Sequence, residues 1–186
     1  SDFGDSHSIA LWQVASGKQE NILGGHTGEV TGVAYSPDGR TVASQSDLSV
    51  ILWDAASGAR LHSIPGSYSS GELAFSPDGK TLAVAAWFSV RLLDAISGKL
   101  VKELSSPDGQ ASSLAYSPDG ATLASNAYGD ILLWNINSGT LRKTLAGTGD
   151  YIYSLAFSPD GKILASGCWD DTITLWDPAS GEKLQT

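Results

Sequence analysis

No methionine occurs in the 186 residues, and cysteine occurs once. A single thiol, Cys168, cannot form an internal disulfide, which points to a reducing, intracellular setting such as the cytoplasm. Without a methionine, the first residue is not expected to be a native start. No apolar run approaches the ~20 residues that a membrane-spanning helix needs, and no signal peptide opens the chain, so no membrane role is expected. Basic residues are scarce. The 11 Lys and Arg stand singly among 20 Asp and Glu, for a net charge of −9. Phosphate backbones and anionic lipids call for clustered cations, so nucleic acid is not an expected partner. Also missing is any 3.6-residue apolar periodicity long enough for a helix.

What is present is regular. Ser-Pro-Asp-Gly occurs at 36–39, 76–79, 117–120 and 158–161, at spacings of 40, 41 and 41 residues. A Ser-Gly pair recurs at 16–17, 57–58, 97–98, 138–139 and 180–181, and a third column reads Trp12, Trp53, Leu93, Trp134 and Trp176. Three columns in one phase define a tandem repeat. Within each unit an apolar run such as Val33-Ala34-Tyr35 enters the tetrapeptide. There Pro supplies the first turn angle, Asp bonds its own backbone and Gly accepts a left-handed conformation. A second run (Thr41-Val42-Ala43), a third (Val50-Ile51-Leu52-Trp53) and a more polar fourth (Arg60 to Ile64) follow. Four short strands per unit are predicted. The first three are apolar on both faces, as in sheets packed between sheets, and the fourth is an outer edge.

Gly25-His26, Val33-Ala34-Tyr35-Ser36-Pro37-Asp38-Gly39, Ala43-Ser44, Asp47 and Trp53-Asp54 together resemble a full repeat of the WD family, and the likeness extends along nearly the whole chain. The resemblance implies an all-β propeller of four-stranded antiparallel blades, with the first strand of each unit innermost. The units fall at about 1–23 (partial), 24–64, 65–104, 105–145 and 146–186. It also implies a hydrogen-bonded network of His, Ser, Asp and Trp inside a blade. Only His26, Ser44, Asp47 and Trp53 supply all four. The last unit offers Ser166, Asp170 and Trp176 with Thr148 at the His position, and the third offers Ser125 and Trp134 with Pro107 there. The second has Ser67, Val84 and Leu93, so its blade is expected to rest on apolar packing.

Four units and part of a fifth describe an arc, and an incomplete ring is expected. Three readings stand: a portion of a larger protein, an engineered or excised fragment that self-assembles into a ring, and a small closed ring of about four blades. The expected completion comes from neighbouring blades or from another copy, as a homo-oligomer.

Catalysis and metal binding find little support. Calcium loops need several converging carboxylates, whereas each Ser-Pro-Asp-Gly offers one in the same structural phase, as hairpins would. The near-copy at 106–109 lies in another phase and reads as a further turn. His7, His26 and His62 have no metal-ligand spacing to Cys168, and no segment announces a Ser–His–acid arrangement. The chain is therefore expected to be no enzyme, with no cofactor. The Cys168 thiol has no basic neighbour in sequence and reads as a packing residue.

The variable connections carry the remaining signal. In the resembling family, those before the first strand and between the second and third share one face of the disc, often the binding face. Here they hold Tyr68, Trp87, Phe88, Tyr128, Asp150, Tyr151, Trp169 and Asp171. Aromatics on a rim either contact a partner or cover a neighbouring blade. The partner expected is a protein or peptide, basic or apolar given the charge of −9.

Overall fold

A computed structural model describes residues 7–66, 68, 71–106, 111–147 and 149–186. Ser67, Pro107, Asp108 and Thr148, singled out above, lie outside the described residues. Among the described residues, regular structure is entirely β. Strands β1 (Ser8–Gln13) and β2 (Lys18–Gly24) form a two-stranded sheet. Four four-stranded antiparallel sheets follow, each in chain order. The first comprises β3 (Val30–Tyr35), β4 (Thr41–Ser46), β5 (Ser49–Asp54) and β6 (Arg60–Pro65). The second comprises β7 (Leu73–Phe75), β8 (Thr81–Ala86), β9 (Ser89–Asp94) and β10 (Leu100–Ser105). The third comprises β11 (Leu114–Tyr116), β12 (Thr122–Ala127), β13 (Asp130–Asn135) and β14 (Thr140–Leu145). The fourth comprises β15 (Ile152–Phe157), β16 (Leu164–Cys168), β17 (Ile173–Trp176) and β18 (Lys183–Gln185). These are the blades that the repeat predicts.

The tetrapeptide builds its own hairpin. Ser36 Oγ donates to Asp38 Oδ1 at 2.6 Å, the Arg40 N–H reaches the same oxygen at 3.0 Å, and Gly39 N–H closes the turn on Ser36 O at 2.8 Å. Gly39 has φ +71°, where a side chain would be strained. The same Ser-to-Asp bond recurs at Ser76–Asp78, Ser117–Asp119 and Ser158–Asp160. The Ser hydroxyl, helped by the backbone N–H, holds each of these carboxyls below its ordinary range.

Period-two alternation then glues sheet to sheet. In β5, Ile51 and Trp53 face Leu11 and Leu23 of the two-stranded sheet, while Val50 and Leu52 face Leu73, Leu82, Val84 and Leu93. The third interface packs Ala83, Val90, Leu92 and Leu104 on Leu114, Leu123 and Trp134, and the fourth packs Ile131, Leu133 and Leu145 on Ile152, Leu155 and Trp176. Each such side chain contributes roughly 1.5–3 kcal/mol on burial. Cys168 is half-buried against the last of these clusters.

One expectation fails locally. First strands are expected to be apolar on both faces and covered, yet Val33 and Tyr35 of β3 are exposed. They line an apolar groove of about 280 Å³ with Ile9, Leu11, Trp12 and Val42. The cause is the two-stranded sheet, which presents no strand opposite β3 among the described residues.

Candidate interaction site

The interior polar groups come first, because they fix which loop residues remain free for contact. His26 is buried, its Nε2 2.7 Å from Ser44 Oγ, and that oxygen also accepts the Trp53 indole N–H at 2.8 Å. His26 Nδ1 lies 3.1 Å from both Ser46 Oγ and Ser49 Oγ. Asp47, expected within this network, is instead exposed. The two hydroxyls occupy its place, because β4 and β5 continue to Ser46 and Ser49 and leave only Asp47 and Leu48 in the turn. The Trp-to-Ser bond recurs at Trp134–Ser125 (2.9 Å) and Trp176–Ser166 (3.0 Å). Asp170 likewise stands outside, its Oδ1 accepting from Thr172 N–H and Thr172 Oγ. Burial of His26, with repulsion from His7, lowers its pKa.

Antiparallel order places the approaches to β3, β7, β11 and β15 at the same end of the sheets as the β4–β5, β8–β9, β12–β13 and β16–β17 turns. At this end Trp87 is 48% exposed, Phe88 72%, Tyr128 64% and Trp169 68%. Asp150, Tyr151 and Asp171 are exposed with them. Tyr128 and Asp171 adopt φ of 52° and 62°, unusual for residues other than glycine.

Tyr68 departs from the expected set. It is 1% exposed, packed with Val50, Leu52, Leu73, Val84 and Leu93, and the Arg91 guanidinium stands 5.6 Å above its ring. The reason is local: Val84 and Leu93 bring no polar network to this blade, and the tyrosine fills its interior instead. Burial pushes its phenol pKa up.

Sequence reading missed Tyr153. It is the unmatched residue of a β-bulge, with Ile152 opposite Cys168 and Ser154 opposite Gly167. Its ring centroid lies 5.4 Å from that of Tyr151 and 5.6 Å from that of Trp169. The Trp169 N–H bonds Tyr151 O at 2.9 Å and so holds the two loops together. A bulge breaks strict alternation, and only the aromatic type of the residue could have drawn notice to it.

Carboxylates stand at both ends, whereas lysine and arginine avoid the aromatic one. Glu29, Asp47, Glu72, Asp130, Asp150, Asp170 and Asp171 occupy the aromatic end, where the described connections carry no lysine or arginine. The cations lie along strands or at the opposite end, where grooves of about 420 and 500 Å³ run between successive Ser-Pro-Asp-Gly turns. Among the described residues no group of three or more His, Cys, Asp or Glu side chains could hold a metal ion, and no helix is long and apolar enough to cross a membrane.

Comparison with known proteins agrees with this architecture. The family described as "WD domain, G-beta repeat" matches residues 17–54, 98–135 and 139–177, more than half of the chain. An uncharacterized WD repeat-containing protein of Synechocystis is 37% identical over 60 residues, covering 31% of this chain and 17% of its own length. The small ribosomal subunit protein RACK1 of Medicago sativa is 50% identical over 48 residues, 25% of this chain and 15% of that protein. Cell division cycle 20.1, a cofactor of the APC complex in Arabidopsis thaliana, is 33% identical over 67 residues, 34% of this chain and 15% of that protein. Each match thus spans a small part of a much longer relative. On its repeated turns, its stacked four-stranded sheets and this match, the chain belongs to the WD-repeat family of β-propeller proteins.

Proposed function

We propose that the chain is a non-enzymatic, intracellular protein-interaction module, a scaffold or sensing surface within a larger propeller. Its contact face is the end that carries Trp87, Phe88, Tyr128, Tyr151 and Trp169. The observation that carries this reading is the exposure of large aromatics at one end of three successive sheets. Such side chains are costly to leave in water and are enriched where partners bind. The relatives point the same way, since one is named for the ribosomal subunit and another for the APC complex. The test is a peptide or protein ligand selected on the chain and titrated by calorimetry. Alanine at Trp87 or Tyr128 is expected to weaken binding by about 1–3 kcal/mol with the unfolding midpoint unchanged. A ligand mapping to the Ser-Pro-Asp-Gly end would overturn the assignment of the face.

A second reading is self-assembly, in which another copy completes the sheet begun by β1 and β2. It is favoured by the apolar groove beside β1 and by the exposed Trp12 on its wall. Light scattering tests it: an oligomer that Trp12→Asp dissociates supports it, and a monodisperse 19.3 kDa monomer refutes it.

A further inference from the structure

We infer that the Tyr151–Tyr153–Trp169 cluster, flanked by Asp150, Asp170 and Asp171, is the seat of a lysine or arginine side chain from a peptide partner. This rests on the interaction reading above and names the chemistry of the ligand.

Three observations converge. The first is geometric. Tyr153 packs against Tyr151 at 5.4 Å and 58°, and against Trp169 at 5.6 Å and 31°, so three rings form one continuous aromatic surface. All three are exposed, Trp169 most of all. Ring faces carry negative charge density and attract a cation within about 6 Å of the centroid. The chain already uses this contact internally, with Arg91 5.6 Å above Tyr68.

The second observation is charge. Asp150 precedes Tyr151 in sequence, and Asp170 and Asp171 follow Trp169. All three carboxylates are exposed. The Asp170 side chain is fixed by Thr172 through Oδ1, and Asp171 is held at φ 62°. No lysine or arginine of the described connections competes at this end, so the field favours an incoming cation.

The third observation excludes simple blade packing as the purpose of the Trp169 ring. Trp87 and Phe88 in the β8–β9 turn, and Tyr128 in the β12–β13 turn, remain exposed although the next sheet is in place. Exposure of Trp169 therefore belongs to its place in the turn, not to the lack of a neighbour. A loose apolar ligand would be served by the rings alone; the carboxylates on both loops select for positive charge.

The experiment uses fluorescein-labelled peptides of alternating arginine and glycine, with a control in which each arginine is citrulline, the neutral isostere. Anisotropy is expected to show the arginine peptide binding about tenfold tighter or more than the control, with the difference shrinking at high salt. Trp169→Ala is expected to lose about tenfold at an unchanged unfolding midpoint. Asp171→Asn, which keeps the shape and tolerates the positive φ, is expected to lose affinity only at low salt. Equal binding of both peptides, or wild-type affinity in Trp169→Ala, overturns the proposal. Ligands from a random peptide library separate the two readings. Ligands that lack Lys and Arg and depend on Trp87 or Tyr128 sink the cation seat and leave the interaction face standing. A chain that captures no ligand at all sinks both.

Discussion

The His26 imidazole joins three hydroxyls inside its blade, Ser44 at Nε2 and Ser46 and Ser49 at Nδ1. The ring is buried, and Ser44 Oγ links it to the Trp53 indole. The second imidazole nitrogen meets serines, not Asp47. That substitution was invisible in sequence, because the turn between β4 and β5 is two residues long and the reach of Asp47 depends on where the strands end. His26→Ala leaves the buried hydroxyls of Ser44 and Ser46 short of a partner, and it is expected to cost about 1–3 kcal/mol in urea denaturation. The pH dependence follows from burial. The folded pKa lies below 6.5, so the unfolded chain takes the proton first. The contribution of His26 is complete above about 6.5 and is lost as pH falls below it toward the lowered folded value. The turn carboxylates, also held low, lose theirs at more acid pH. His26→Gln should therefore flatten the first decline and leave the second. If wild type and variant fall in parallel between about pH 7.5 and 5.5, the buried neutral imidazole has no such role.

At the scale of a blade, the repeat columns predicted strands and turns because each column has a local cause. Gly39 needs its positive φ, Asp38 its own backbone, and β5 its alternation of Val50 and Leu52 against Ile51 and Trp53. What sequence could not settle is which loop aromatic turns inward. Tyr68 and Tyr151 occupy corresponding approaches to a first strand, yet only Tyr68 fills a core. The difference lies in the blade each serves: Trp176 and Ser166 close the last blade, whereas Val84 and Leu93 leave room for a ring. The β7–β10 blade should therefore depend on Tyr68 as the β3–β6 blade depends on its polar network. Tyr68→Ala is expected to destabilise by about 3–5 kcal/mol, and Tyr68→Phe by much less, in chemical denaturation. Alanine at Trp87, which is exposed, should fall within about 0.5 kcal/mol of wild type. A mild Tyr68→Ala would mean that the blade closes on apolar residues alone.

Across the whole molecule, stability is expected to follow nearest neighbours, since each sheet touches only the next. Polar links near the inner strands then decide whether the sheets melt together. Glu72 N–H donates to Ser112 O at 2.9 Å, and Ser113 Oγ joins Glu72 Oε2 at 2.9 Å to the Leu155 N–H at 3.0 Å, tying three blades in one chain of bonds. Asn126 is the centre of the second link. It is fully buried, its Oδ1 accepts from Ser112 and Ser113 N–H at 2.8 and 2.9 Å, and its amide donates across the interface to Ile152 O at 2.8 Å. Nothing in the repeat marks this residue, because the corresponding β4 and β8 positions hold Gln45 and Ala85. Asn126→Ala strands two backbone donors and an acceptor in the interior, a loss of about 1–3 kcal/mol for each group left unpaired. The loss falls on the approach to β11 and on its junction with the last blade. The expected outcome is uncoupling: amides of β15 and β16 exchange early, while those of β4, β5 and β8 keep their protection. Calorimetry should then show a van't Hoff enthalpy below the calorimetric one, as a two-state transition splits. Uniformly faster exchange along every sheet, with a single sharp transition, would mean that the apolar interfaces alone carry the coupling and that Asn126 merely adds to it.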